Sequence, residues 1–150
     1  MLTTVRTNSD NPQFIKLVGA LDAYLAITDG DEHAFYSQYN KIDKIKHVVI
    51  SYENEIPVGC GAIKEFAADS MEVKRMFTSP EGRKKGVATT VLSALEQWAG
   101  ELGYKKCVLE TGIRQADAIS LYQKCGYQSI PNYGQYIGVD NSVCFEKELK

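Results

Sequence analysis

Six consecutive residues, Arg83-Lys84-Lys85-Gly86-Val87-Ala88, place three basic side chains and one glycine where an extended segment gives way to an apolar helical stripe. A turn of this kind gathers backbone N–H groups at a helix start, and the helix dipole adds positive potential to them. Such a nest suits a phosphate or pyrophosphate. Its spacing is neither that of the phosphate loop G-x-x-x-x-G-K-[ST] nor that of the dinucleotide fingerprint G-x-G-x-x-G. A basic surface turn before a helix has the same composition. The six residues alone therefore leave an anion site and a solvated turn both open.

The flanking elements decide how such a site would be held. Before the loop, Met71-Glu72-Val73-Lys74-Arg75-Met76-Phe77-Thr78 reads as a strand, closed by Ser79, Pro80 and Gly82. After it, Val87, Val91, Leu92, Leu95, Trp98 and Leu102 recur at helical spacing, and Gly103 suits the position just past a helix end. A short apolar strand, Cys107-Val108-Leu109, follows. A second helix then carries Ala116, Ile119 and Tyr122 on one stripe, with Ala118, Leu121 and Cys125 beside it. Gly126 ends that helix and Tyr127 starts another extended run.

Upstream, Asn11 and Pro12 form a helix start for Phe14, Leu17, Val18, Leu21 and Leu25. A second short helix is expected over 32–39. Strands are expected over 47–52 and 58–66, joined by the polar turn Glu53-Asn54-Glu55. Strands followed by βαβ units predict an α/β protein of α+β-like character, a mixed sheet with helices on both faces.

Composition narrows the class. The chain has 150 residues, 44% hydrophobic and 24% charged, with a net charge of −2. That length can bury a sizeable core and predicts a single domain over 1–150. A pI near 5.7 gives no basis for non-specific nucleic-acid binding. No apolar run is long enough to span a bilayer and no leader pattern opens the chain, so the expected location is the cytoplasm. Cys60, Cys107, Cys125 and Cys144 are scattered without a C-x-x-C pair, which predicts buried free thiols. With only His33 and His47 as histidine partners, no metal site is expected.

Two segments carry a resemblance. Arg83 to Ala88 has the form Arg-x-x-Gly-x-Ala, and residues 118–127 have the form A-x-x-L-Y-x-x-x-G-Y. In this order, with a helix and a strand between them, they resemble the two signatures of the GNAT superfamily of acyl-CoA-dependent N-acetyltransferases, in its small bacterial-type form. The resemblance covers about residue 58 onward. It implies the GNAT fold, a mixed, mostly antiparallel sheet in which the strand before the loop and the strand after the helix run parallel and splay apart. It also implies acetyl-CoA as co-substrate. Arg83, Lys84, Lys85, Gly86, Val87 and Ala88 would wrap the pyrophosphate, with Thr89 opening the helix. Met76 and Thr78, with Phe77 between them, would pair through the main chain with the pantetheine arm.

Acetyl transfer to an amine requires a neutral amine, a polarised carbonyl and a protonated leaving thiolate. By resemblance, Tyr122 is the proton donor to sulfur, and its reference pKa of ~10 keeps it protonated at neutral pH. The other reading of Tyr122 is packing on its helix stripe. A backbone N–H near Met76 would polarise the carbonyl. Glu72 stands where related enzymes carry a general base; a solvated carboxylate paired with Lys74 or Arg75 is the alternative. Strand alternation puts Glu72, Lys74, Met76 and Thr78 on one face and Val73, Arg75 and Phe77 on the other. Glu110 is a second candidate base. His33 reads as a surface residue, Ser51 and Ser142 lack a His/Asp arrangement, and Cys144 has no visible activating partner.

The acceptor would be a small-molecule amine, enclosed by residues 21–39 and 131–141. Tyr24, His33, Phe35, Tyr36, Tyr133 and Tyr136 with Asp29, Asp31 and Glu32 make an aromatic and acidic surround that favours a cationic amine. Competing readings are a non-catalytic acyl-CoA sensor and acetylation of protein N-termini or lysines. No nucleic-acid or membrane partner is expected. Homodimers occur among similar proteins.

Overall fold

Apolar residues on both faces of the central strands require covering layers on both sides, and the computed structural model, which describes residues 2–29, 44–83 and 85–149, supplies them. A seven-stranded sheet has the order β1-β2-β3-β4-β5-β7-β6. Its strands are β1 (Leu2–Thr7), β2 (His47–Glu53), β3 (Ile56–Ala67), β4 (Ser70–Thr78), β5 (Lys106–Gly112), β6 (Gln128–Ile130) and β7 (Ser142–Glu148). Among the described residues three α-helices pack on it: α1 (Pro12–Asp29), α2 (Val87–Glu101) and α3 (Ala116–Lys124). The helix expected over 32–39 lies outside the described residues. No helix among the described residues is long and apolar enough to cross a membrane.

Alternation along β2 assigns the faces. Val48 and Ile50 meet Phe14, Leu17 and Val18 of α1, whereas Val49 meets the α2 side. Pro12 starts α1, and the Asn11 Oδ1 accepts the Gln13 N–H at 2.8 Å, capping it as the sequence predicts. α2 buries Val87, Val91, Leu92, Leu95 and Ala99 against Ile63, Val73 and Leu109. Gly61 permits that close approach: a Cβ there would lie 2.8 Å from Leu95 and 2.9 Å from Val91. Each fully buried Leu or Val contributes about 1.5–3 kcal/mol relative to exposure.

Both downstream helices end in the same device. Gly103 (φ 94°) follows α2, with the Tyr104 N–H on the Ala99 carbonyl and the Gly103 N–H on the Gly100 carbonyl. Gly126 (φ 94°) follows α3, with the Tyr127 N–H on Tyr122 and its own N–H on Gln123. These are Schellman ends, which close the last carbonyls and turn the chain back toward the sheet. The β2–β3 turn places Asn54 (φ 50°) and Glu55 (φ 71°) in the left-handed region, the twist a two-residue hairpin needs. β1 was not expected from sequence. It is an edge strand whose residues are mostly exposed, so no apolar alternation marks it.

β4 and β5 run parallel but pair at only three positions, Ser70 with Lys106, Met71 with Cys107 and Glu72 with Val108. Beyond Glu72 they part. β4 stays paired with β3 as far as Thr78 and β5 with β7 as far as Gly112, so the opening lies between β4 and β5.

Candidate active site

A cleft of about 650 Å³ occupies the opening between β4 and β5. Met76, Phe77 and Thr78 of β4 line one wall and Glu110, Thr111 and Gly112 of β5 the other. The loop and the start of α2 close one end through Arg83 and residues 86–89; Tyr122 of α3 borders the same space. Residues of β4, β5 and α3 thus line one space because the sheet splays between β4 and β5.

The loop end gathers backbone donors at a helix start. Gly86 sits at φ 79°, ψ 16° and precedes α2, with no side-chain cap. No Cβ clash constrains it, so the left-handed φ is what calls for glycine. The first intrahelical bond runs from the Thr90 N–H to the Gly86 carbonyl at 3.0 Å. The N–H groups of Val87, Ala88 and Thr89 therefore precede the helical ladder and need a partner from elsewhere. Arg83 lines the cleft, its guanidinium 6.0 Å from the Tyr24 ring centre. Lys85 does not line it. Its Nζ pairs with Glu53 at 2.7 Å, at the end of β2. Lys84 lies outside the described residues.

Strict alternation along β4 fails at Arg75. Cys60 pairs with Phe77 and Ala62 with Lys74, leaving Arg75 and Met76 together opposite Gly61. This is a β-bulge, and Arg75 takes φ 61° to make it. The faces change accordingly. Arg75 reaches Asp22 of α1 and Phe77 packs in the α1 cluster, while Val73 and Met76 pack toward α2. Arg75 and Phe77 therefore join Glu72 and Lys74, and Met76 joins Val73, which corrects the alternation expected from sequence.

Glu72 is 9% exposed and accepts a 2.7 Å hydrogen bond on Oε2 from the Tyr133 hydroxyl. Lys74 Nζ stands 3.9 Å from Oε1. The Tyr133 ring is itself held edge-on against Phe66 (4.7 Å) and Tyr136 (5.9 Å). Asn132 Nδ2 lies 3.0–3.1 Å from the carbonyl oxygens of Tyr136, Val139 and Ser142, tying down the loop that delivers both tyrosines. Sequence reading placed Tyr133 in the acceptor surround but gave no sign of its bond to Glu72. Nor did it single out Asn132.

Tyr122 is 6% exposed, against Tyr127 and Phe145. Burial first, then the charges of Glu110 and Cys125, pushes its hydroxyl pKa well above the ordinary tyrosine value. The hydroxyl therefore stays protonated throughout the neutral range. Glu110 lines the cleft two residues beyond the Glu72–Val108 pair, on the face Glu72 uses. Burial raises the pKa of Cys144 too, which disfavours a thiolate nucleophile. Cys60, Cys107 and Cys144 are buried free thiols and Cys125 is half-buried. Among the described residues no group of His, Cys, Asp and Glu could hold a metal ion. Of the acceptor surround, Tyr24 and Tyr136 line the cleft; His33, Phe35, Tyr36, Asp31, Glu32 and the Asp29 side chain lie outside what is described.

The family model described as Acetyltransferase (GNAT) family matches residues 16–127. The IAA acetyltransferase of Azospirillum brasilense is 30% identical over 99% of this chain and 98% of its own length. The N-acetyltransferase YjgM of Escherichia coli K12 is 32% identical over 83% of this chain and 80% of its own. A crystal structure from Klebsiella pneumoniae, named as an acyl-CoA N-acyltransferase, superposes with a TM-score of 0.84 at 28% identity, covering 100% of this chain and 99% of that one.

Proposed function

The chain belongs to the acetyltransferase (GNAT) family, an acyl-CoA-using family of enzymes, and on that premise we propose that it moves an acetyl group from acetyl-CoA to a small primary amine by direct attack in a ternary complex. One observation carries this reading: β4 loses its β5 partner beyond Glu72, beside a helix start whose first N–H groups have no helical acceptor. An extended, amide-bearing cofactor tail with a pyrophosphate suits both features. The tail can pair with the open edge of β4 around Met76 and Thr78, and the pyrophosphate with Gly86, Val87, Ala88 and Thr89. Arg83 adds positive charge at that end, and Phe77 forms part of the wall.

The remaining roles follow from burial and charge. Glu72, held by Tyr133, takes the proton that the acceptor ammonium must lose before attack, directly or through a water. A main-chain N–H near Met76 faces the oxygen on which negative charge develops. Tyr122, kept neutral by its surroundings, gives its proton to the departing sulfur. Glu110 stands near enough in the sheet to share the work of Glu72 or to steer the amine.

Mass-spectrometric screening of an amine library with acetyl-CoA tests the proposal. Formation of an N-acetyl product together with free coenzyme A thiol is the expected result. Thiol release without any acetylated amine would overturn it.

A further inference from the structure

Arg75 is buried in the cleft wall and none of the steps above uses it. Its side chain is only 2% exposed, Nη1 donates to Asp22 Oδ1 at 3.1 Å, and Nη2 is buried with no hydrogen-bond partner. A buried charged donor left unsatisfied loses its hydration without recompense, so an unmet guanidinium N–H calls for a partner. The backbone is also held in an unfavourable region there, φ 61° at a non-glycine residue. That bulge is what turns Arg75 onto the face of Glu72. Without it, alternation would send the guanidinium to the opposite side of the sheet.

We infer that Arg75 is a carboxylate subsite, and that the acceptor is an amine carrying its own carboxylate, an amino acid. The inference rests on the acetyl-transfer reading of this cleft and names its substrate class. Both Glu72 and Arg75 line the cleft, three residues apart, about 10 Å of extended chain at most. A compact zwitterion matches that pair, its ammonium toward Glu72 and its carboxylate toward Arg75. The planar guanidinium fork suits a carboxylate better than any neutral polar group. Asp22, on α1, has a side chain that is 48% exposed and touches the fork through one oxygen only. It holds the place of the ligand carboxylate and swings toward solvent when the ligand enters.

The test is calorimetric titration of the full chain, saturated with coenzyme A, with each standard α-amino acid and with its carboxamide. At least one acid is expected to bind about tenfold or more tighter than its amide, the scale of one charge-assisted hydrogen bond. Arg75→Gln should bring that ratio close to one while leaving coenzyme A affinity unchanged, and Arg75→Lys should retain part of it. Asp22→Asn, a change at a half-exposed residue, should tighten the acid and not the amide. Equal binding of acid and amide, absence of binding by every amino acid, or a ratio that survives Arg75→Gln would each overturn the subsite. An amino acid that binds in this pattern yet releases no thiol from acetyl-CoA would uphold the subsite and count against acetyl transfer.

Discussion

The two halves of the cleft are made of different material. The half proposed for the cofactor, residues 76–83 and 85–89, offers main-chain groups: the open edge of β4, the left-handed Gly86 and the first turn of α2. The half proposed for the acceptor is made of side chains brought together from far apart, Tyr133 on Glu72 across 61 residues and Arg75 on Asp22 across 53. Backbone geometry tolerates many side chains, whereas a side-chain constellation changes with each substitution. Under the proposed function, the first half would serve a shared cofactor and the second would set the substrate.

That contrast predicts which measurements respond to which change. Glu72→Gln and Tyr122→Phe should give the largest effects, lowering kcat by about 10²–10⁴-fold, the range of general acid–base catalysis, with acetyl-CoA affinity nearly unaltered. If either mutation weakened acetyl-CoA binding as much as turnover, the halves would not be separable. Tyr133→Phe removes the hydrogen bond that orients Glu72 and should lower kcat about tenfold, since a hydrogen bond to a charged group is worth about 1.5–3 kcal/mol. Steady-state kinetics at saturating acetyl-CoA would read that loss.

A pH series sharpens the comparison from the acceptor side. Tyr122, Tyr127, Tyr133 and Tyr136 all have hydroxyl pKa values raised mainly by burial. A raised folded-state value means that their contribution to stability is fully present below the unfolded tyrosine pKa of ~10 and is lost as pH rises beyond it. Activity should therefore show no loss from Tyr122 ionisation below about pH 10. Above that, tyrosinate absorbance, loss of turnover and unfolding should rise together. A tyrosine ionising well below pH 10 in step with turnover would contradict the assignment of Tyr122. Lys85→Ala should have the smallest effect. Its ion pair with Glu53 is partly exposed and lies outside the cleft lining, and such pairs contribute about 0–1 kcal/mol. A large loss of acetyl-CoA affinity in that variant would put Lys85 back among the pyrophosphate contacts.

Legibility in the sequence follows the same division. The strand–loop–helix–strand–helix order was readable because 3.6-residue periodicity, Gly103, Gly126 and the two short signatures are local signals. The parting of β4 and β5 came from the resemblance and agrees with pairing that stops at Glu72. Arg75 was assigned to the wrong face because its bulge has no sequence mark: arginine, not glycine, occupies the left-handed position. β1 stayed hidden because an exposed edge strand has no buried face to pattern. The Tyr133–Glu72 bond and the Asn132 tether depend on how a loop folds back over the sheet, which no local spacing encodes.

The proposed function turns on Gly86 and the start of α2 holding the pyrophosphate of acetyl-CoA beside the open edge of β4. Calorimetric titration of the wild-type chain and of Gly86→Glu with acetyl-CoA, with ATP as the control, decides this. Saturable binding of acetyl-CoA by the wild type, little heat with ATP, and loss of acetyl-CoA binding in a folded Gly86→Glu variant are expected. Unchanged affinity in that variant would remove the loop from the site, and no binding by the folded wild-type chain would overturn the proposed function.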